Sequence, residues 1–159
     1  MHPTTARVAA ALDAADFHTD IREFSNATRT AQQAADTLGV PVGAIVKSLC
    51  FVADGVPVMV LVSGSNRADL IKVRHGLGAE TVTRADAETV RAVTGFAIGG
   101  VPPIAHAQPL RIILDRDLKQ YAELWAAAGT PHSVFRIDPK RLAALTGGAW
   151  ADVAEDAPL

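Results

Sequence analysis

The chain contains one cysteine, Cys50. A lone thiol excludes an internal disulfide and argues against a thiolate metal site, and its place in the apolar run "IVKSLCFV" marks it as a buried structural group. Long apolar stretches are missing as well. The opening "MHPTTARVAAALDAADFHTD" breaks its apolar pattern with Arg7, Asp13 and Asp16, unlike a secretion signal or a membrane span, so a cytoplasmic location is expected. Neither sign of charge dominates: 15 Lys and Arg against 17 Asp and Glu leave a net −2. That balance excludes a globally basic nucleic-acid surface and still permits a local patch. There is no internal repeat, low-complexity tract or linker. GxxxxGK[ST] and Gly-x-Ser-x-Gly are both absent, and no histidines and carboxylates share metal-ligand spacing, so nucleotide-loop chemistry, a serine triad and metal hydrolysis lack support. The sequence calls for no cofactor and no metal.

What is present is ordinary globular chemistry, with 49% hydrophobic and 20% charged residues in 159, enough for one core and hence one domain over residues 1–159. An amphipathic helix is expected over Thr5–Ala15 and a strand in "DIREF". "TRTAQQAADTLGV" reads as a helix with Thr30 as N-cap, Gln33 at the capping-box position and Gly39 at the stop. Asp54-Gly55 joins "AIVKSLCFVA" to "VPVMVLVSG" as a two-residue hairpin, and the apolar run Val56–Val62 is a central strand covered on both faces. A helix follows over Ala68–His75, closing at Gly76 or Gly78, then a strand "ETVT" and a helix capped by Asp86 and running through Val93. A strand "LRIILD", a helix around Leu118–Ala128 stopping at Gly129, a strand "SVFRI" and a helix from Asp138-Pro139 to Gly147 complete the chain. This irregular alternation predicts an α+β fold: a mixed sheet, curled towards a barrel, with helices packed around it. "GFAIGG" does not link a strand to a helix as a dinucleotide fingerprint must.

Five features carry candidate chemistry. Strand alternation puts Lys47 in an apolar row with Ile45, Leu49 and Phe51, so its ammonium either snorkels to water from the strand's edge or is aimed into a cleft, where it would serve a carbonyl oxygen or a phosphate. In "TGFAIGGVPP", Gly99 and Gly100 can bring backbone N–H groups close to a developing negative charge while Pro102 and Pro103 hold the shape; a purely structural turn is the alternative. His132 is expected where a helix ends and a strand begins, as a general base, a hydrogen-bond donor or a histidine without a role. His106 is a weaker candidate. Arg67, Lys72, Arg74 and His75 form either a patch for an anionic partner or a solvated helix face.

With Lys47 in "GAIVKSLCF", then "SGSNRADLIKV", "TGFAIGGVPP" and "ELWAAAGTPHSVFRI" in this order, the chain resembles the YbaK family of aminoacyl-tRNA deacylases, a domain found also as the editing insertion of bacterial prolyl-tRNA synthetases. The resemblance runs from about Phe24 to Val153. It implies a free-standing trans-editing enzyme that hydrolyses the ester of a mischarged tRNA, tRNA(Pro) or another tRNA carrying alanine, cysteine, serine or threonine. The family's lysine falls on Lys47, its GxxxP loop on Gly99, Gly100, Val101, Pro102 and Pro103, and a pocket-shaping histidine on His132. Arg67, Lys72 and Arg74 would hold the tRNA acceptor end, with an aminoacyl-tRNA synthetase as a further partner and no membrane. A non-catalytic module binding a tRNA end or a nucleotide is the other reading.

Overall fold

Local signals set most of the element boundaries. The computed structural model describes residues 1–156; residues 157–159, the end of the expected 1–159 domain, lie outside the described residues. In chain order the elements are α1 (Pro3–Ala14), β1 (Ile21–Glu23), α2 (Ala31–Leu38), β2 (Ile45–Ala53), β3 (Val56–Ser63), α3 (Leu70–Leu77), β4 (Val82–Arg84), α4 (Ala87–Thr94), β5 (Arg111–Asp115), β6 (Leu124–Ala127), β7 (Ser133–Ile137), α5 (Pro139–Thr146) and β8 (Ala149–Ala151). At α2, Thr30 Oγ1 accepts from the Gln33 amide at 3.1 Å while Gln33 Oε1 accepts from the Arg29 amide at 2.7 Å, which satisfies two otherwise orphaned donors. Carboxylates of Asp69, Asp86 and Asp138 cap α3, α4 and α5 in the same manner. The β2–β3 turn has positive φ at both Asp54 and Gly55, as a type I′ turn demands.

All strands join one mixed sheet in the order β1-β7-β6-β2-β3-β5-β8, with β4 pairing β2 off this path. The β2–β3 hairpin forms its middle and runs in register from Val46↔Ser63 to Ala53↔Val56. Beyond it, β3–β5, β5–β8 and β2–β6 are parallel, while β6–β7 and β1–β7 are antiparallel. Alternation along β3 sends Met59 and Leu61 to one core, shared with Val8, Leu12, Val90 and Leu142 of three helices. It sends Val58, Val60 and Val62 to a second core against Val73 and Leu77 of α3. The central strand is thus covered on both faces, as its unbroken apolar run requires. Cys50 is buried in the first core, and that burial pushes its thiol up.

One expectation fails outright. The helix anticipated around Leu118–Ala128 is instead a 3-10 turn, Arg116–Gln120, followed by the strand β6. Leucine and alanines favour a helix locally, but a four-residue apolar segment slotted between β2 and β7 is better satisfied by two ladders. Gly129 therefore lies in the β6–β7 turn with φ +97° rather than at a helix stop, and His132 belongs to that turn. The helix expected at Ala68 begins at Leu70 behind the Asp69 cap, and β8, which follows α5, has no counterpart among the expected strands.

Candidate active site

The sheet has a seam. Along one side of β2, β6 pairs only with Ile45 and Val46, and β4 pairs only with Phe51, Val52 and Ala53. Between them, Lys47 to Cys50 have no strand neighbour on that side. A cleft of about 750 Å³ opens there, lined by these β2 residues, the N-terminal end of α2, Arg84 and Ala85, Trp125 of β6, and Ile98, Gly99 and Val101 of the glycine-proline loop.

Lys47 lies on the cleft, half-buried, and its Nζ donates to the carbonyl of Asn66. Burial pushes its ammonium below the usual lysine range; Arg67 and Arg84 add to the effect and Asp115 opposes it. The Asn66 loop is itself fixed, because Asn66 Nδ2 donates to Asp115 at 2.9 Å and to Asp117 at 2.8 Å. Asp115 is fully buried and also accepts from the Ser63 amide at 3.0 Å.

The facing loop is stiff. Thr94 Oγ1 donates to the Val90 carbonyl and accepts from the Phe96 amide, and the amides of Ala107 and Gln108 return to the carbonyls of Thr94 and Val93. His106 Nε2 donates to the Pro102 carbonyl at 2.7 Å, so this histidine braces the loop. A turn closed by Gly100 N–H to the Ala97 carbonyl at 3.0 Å places Gly99 at φ +98°, the conformation a type II turn needs at its third residue. The Gly100 amide is therefore committed within the turn and is not free for a ligand. Among the described residues, the amides of Gly99 and Val101 donate to no acceptor. Gly100 matters for another reason: a Cβ there would stand 2.8 Å from the Thr130 backbone, so the glycine lets the loop lie directly on the β6–β7 turn.

The structure brings Lys47, Gly99 and Val101 to one cleft; Pro102 and Pro103 are buried behind it and do not line it. His132 is exposed and outside the lining, in the turn between two strands and not where a helix ends and a strand begins. Its amide donates to Thr130 Oγ1 and its carbonyl accepts from the Phe24 amide. The basic cluster disperses. Arg67 is exposed on the Lys47 side. Lys72 is held by Asp152, Asp156 and the Ala154 carbonyl, and Arg74 sits in the last turn of α3 away from the cleft. The cations on the lining are Lys47, Arg29 and Arg84. Sequence reasoning missed both arginines. Arg84 is set at the cleft by the pairing of β4 with Phe51, the residue next after the seam, which no short stretch of sequence declares. Ser48 Oγ and Trp125 Nε1, on two lining residues, are buried without a hydrogen-bond partner among the described residues. No group of three His, Cys, Asp or Glu among the described residues could hold a metal ion, and no helix among them is long and apolar enough to cross a membrane.

Comparison with known proteins fits this geometry. The family model for the aminoacyl-tRNA editing domain matches residues 25–145. A solved structure described as a candidate trans-editing enzyme for prolyl-tRNA synthetase is 48% identical with a TM-score of 0.94, covering 98% of this chain and 99% of that one. The uncharacterised protein YwhH of Bacillus subtilis (strain 168) is 33% identical over 86% of this chain and 88% of its own length. EbsC of Enterococcus faecalis, described as a candidate Cys-tRNA(Pro)/Cys-tRNA(Cys) deacylase, is 27% identical over 78% of this chain and 76% of its own. The proline--tRNA ligase of Desulfovibrio desulfuricans is 38% identical over 73% of this chain, which spans 20% of that ligase. The chain belongs to the aminoacyl-tRNA editing domain family. Its class of activity is aminoacyl-tRNA deacylation.

Proposed function

We propose that this chain acts in trans on a mischarged tRNA, tRNA(Pro) or another tRNA carrying alanine, cysteine, serine or threonine, and hydrolyses the ester to its terminal adenosine. One observation carries the reading: Lys47, with a half-buried ammonium, and Gly99 and Val101, whose amides donate to no acceptor among the described residues, line a single cleft. The aminoacyl group enters the seam. Water adds to the ester carbonyl, the oxyanion is received by the N–H groups of Gly99 and Val101, and the bond to the ribose oxygen then breaks, that oxygen taking the proton lost by the water. Each preorganised donor of this kind contributes about 3 kcal/mol to a transition state. Lys47 binds the terminal phosphate or the carbonyl side of the ester and forms no covalent bond. The proton of the attacking water passes through the neighbouring hydroxyl of the terminal ribose, since His132 lies outside the lining. Arg29 and Arg84, the other cations on the lining, flank the path of the acceptor strand.

The test is a panel of charged tRNAs incubated with the wild type and with Lys47→Ala. The wild type is expected to clear at least one ester well above spontaneous hydrolysis, and Lys47→Ala to be slower by about 100-fold or more with its thermal unfolding intact. An unchanged rate removes Lys47 from the mechanism. Binding of tRNA ends without turnover favours a non-catalytic module.

A further inference from the structure

A lysine is a poor tool unless something holds both its position and its charge. Lys47 has neither guarantee from its own strand, because the seam leaves it without a cross-strand neighbour on one side. Its Nζ is anchored instead by the backbone carbonyl of Asn66, in the loop that follows β3. That loop is pinned to β5 and the turn after it, through Asn66 Nδ2 to Asp115 and Asp117. Asp115 is fully buried and uses both oxygens: Oδ2 accepts from Asn66 and the Ser63 amide, and Oδ1 from the Asp117 amide at 3.0 Å. The aspartate thus ties the end of β3, the Asn66 loop and the start of the next turn into one unit.

We propose that Asp115 and Asn66 are positioning residues for Lys47: Asp115, through the Asn66 side chain, sets the place of the carbonyl that orients the ammonium, and its carboxylate sustains the positive charge in the seam. The charged groups facing Lys47 come from several elements. Arg67 of the loop and Arg84 of β4 oppose its charge, and Asp115 of β5 supports it; Asp117 acts at one remove through Asn66, and Arg29 shares the cleft lining. Without Asp115 the nearby partners are cationic. A buried ammonium among arginines releases its proton more readily.

This inference takes its functional meaning from the deacylase reading, yet it can be read directly. The chain has four lysines, Lys47, Lys72, Lys119 and Lys140, so NMR of the full chain with 13C-labelled lysine side chains follows each one, with Lys47→Gln assigning the signal. In Asp115→Asn the Lys47 titration midpoint is expected to fall by roughly half a unit or more, while the other three hold. The alkaline limb of the deacylation profile should move down in pH by the same amount, in addition to any loss of rate from a loosened Asn66 tie. An unmoved Lys47 midpoint overturns the proposal, and so does an alkaline limb that stays at its wild-type pH in a folded variant. Should Asp115→Asn not fold, Asn66→Ala keeps the carbonyl and the carboxylate but cuts the tie; kcat should drop about tenfold with KM little changed, and an unaltered kcat overturns the proposal. A wild type that clears no ester while the midpoint still moves defeats the deacylase reading and leaves the positioning pair standing.

Discussion

Lys47 answers to two opposed requirements. Burial pushes its ammonium below the usual lysine range, with Arg67 and Arg84 acting in the same sense and Asp115 against them. The unfolded chain therefore holds this proton more tightly than the folded one, and the handicap to folding is fully present below the folded midpoint. As pH climbs from that midpoint towards 10.5, stability at this position is recovered. Relative to Lys47→Met, the wild type should accordingly gain stability across that window, as urea titrations at a series of pH values would show; a difference flat in pH would mean that Lys47 is not desolvated. Deacylation runs the other way. If the ammonium is the working form, activity declines through the same midpoint, so the protein is expected to become steadier and slower together as the medium turns alkaline.

Elements differ in how plainly local residues declare them. Thr30, Asp86 and Asp138 announce helix starts because a side-chain oxygen beside free N–H groups is a local bond, and Asp54-Gly55 declares its hairpin through φ alone. The strand at Leu124–Ala127 has no such local voice; its state is decided by β2 and β7, distant in sequence, and so it reads as helix. Of the site, Lys47 was legible through strand alternation and Gly99 through the loop. Arg29 and Arg84 were not, since what brings them together is the divergence of β4 from β6, which no short window contains. The two loop glycines, alike in sequence, should also behave differently. Gly99→Ala meets nothing within 4 Å and suffers only its positive φ, a cost of about 1 kcal/mol. Gly100→Ala collides with the Thr130 backbone at 2.8 Å and should lose about 1–3 kcal/mol, with the β6–β7 turn or the loop displaced. Equal denaturation midpoints for the two variants would contradict the packing described.

For the whole molecule, a net charge of −2 means that attraction to a polyanion has to be local. The cations on the cleft are Lys47, Arg29 and Arg84, with Arg67 nearby. Binding of an acceptor-stem RNA ending in a single strand should weaken with salt, and Arg84→Ala should reduce the log–log slope by roughly 0.7, the yield of one phosphate contact on a single strand. Arg74→Ala, remote from the cleft, should leave the slope as it was; equal effects from both would mean that the RNA lies across α3 instead. The seam between β4 and β6 has a lasting consequence for how such a molecule changes its taste. Its width between those two strands is held by ladders of main-chain bonds on either flank, so an exchange of a side chain at the seam leaves the gap between the strands as it is. New preferences among acyl groups are then written in the side chains that project into that frame, and a lineage of these proteins can drift between substrates while its scaffold stands still.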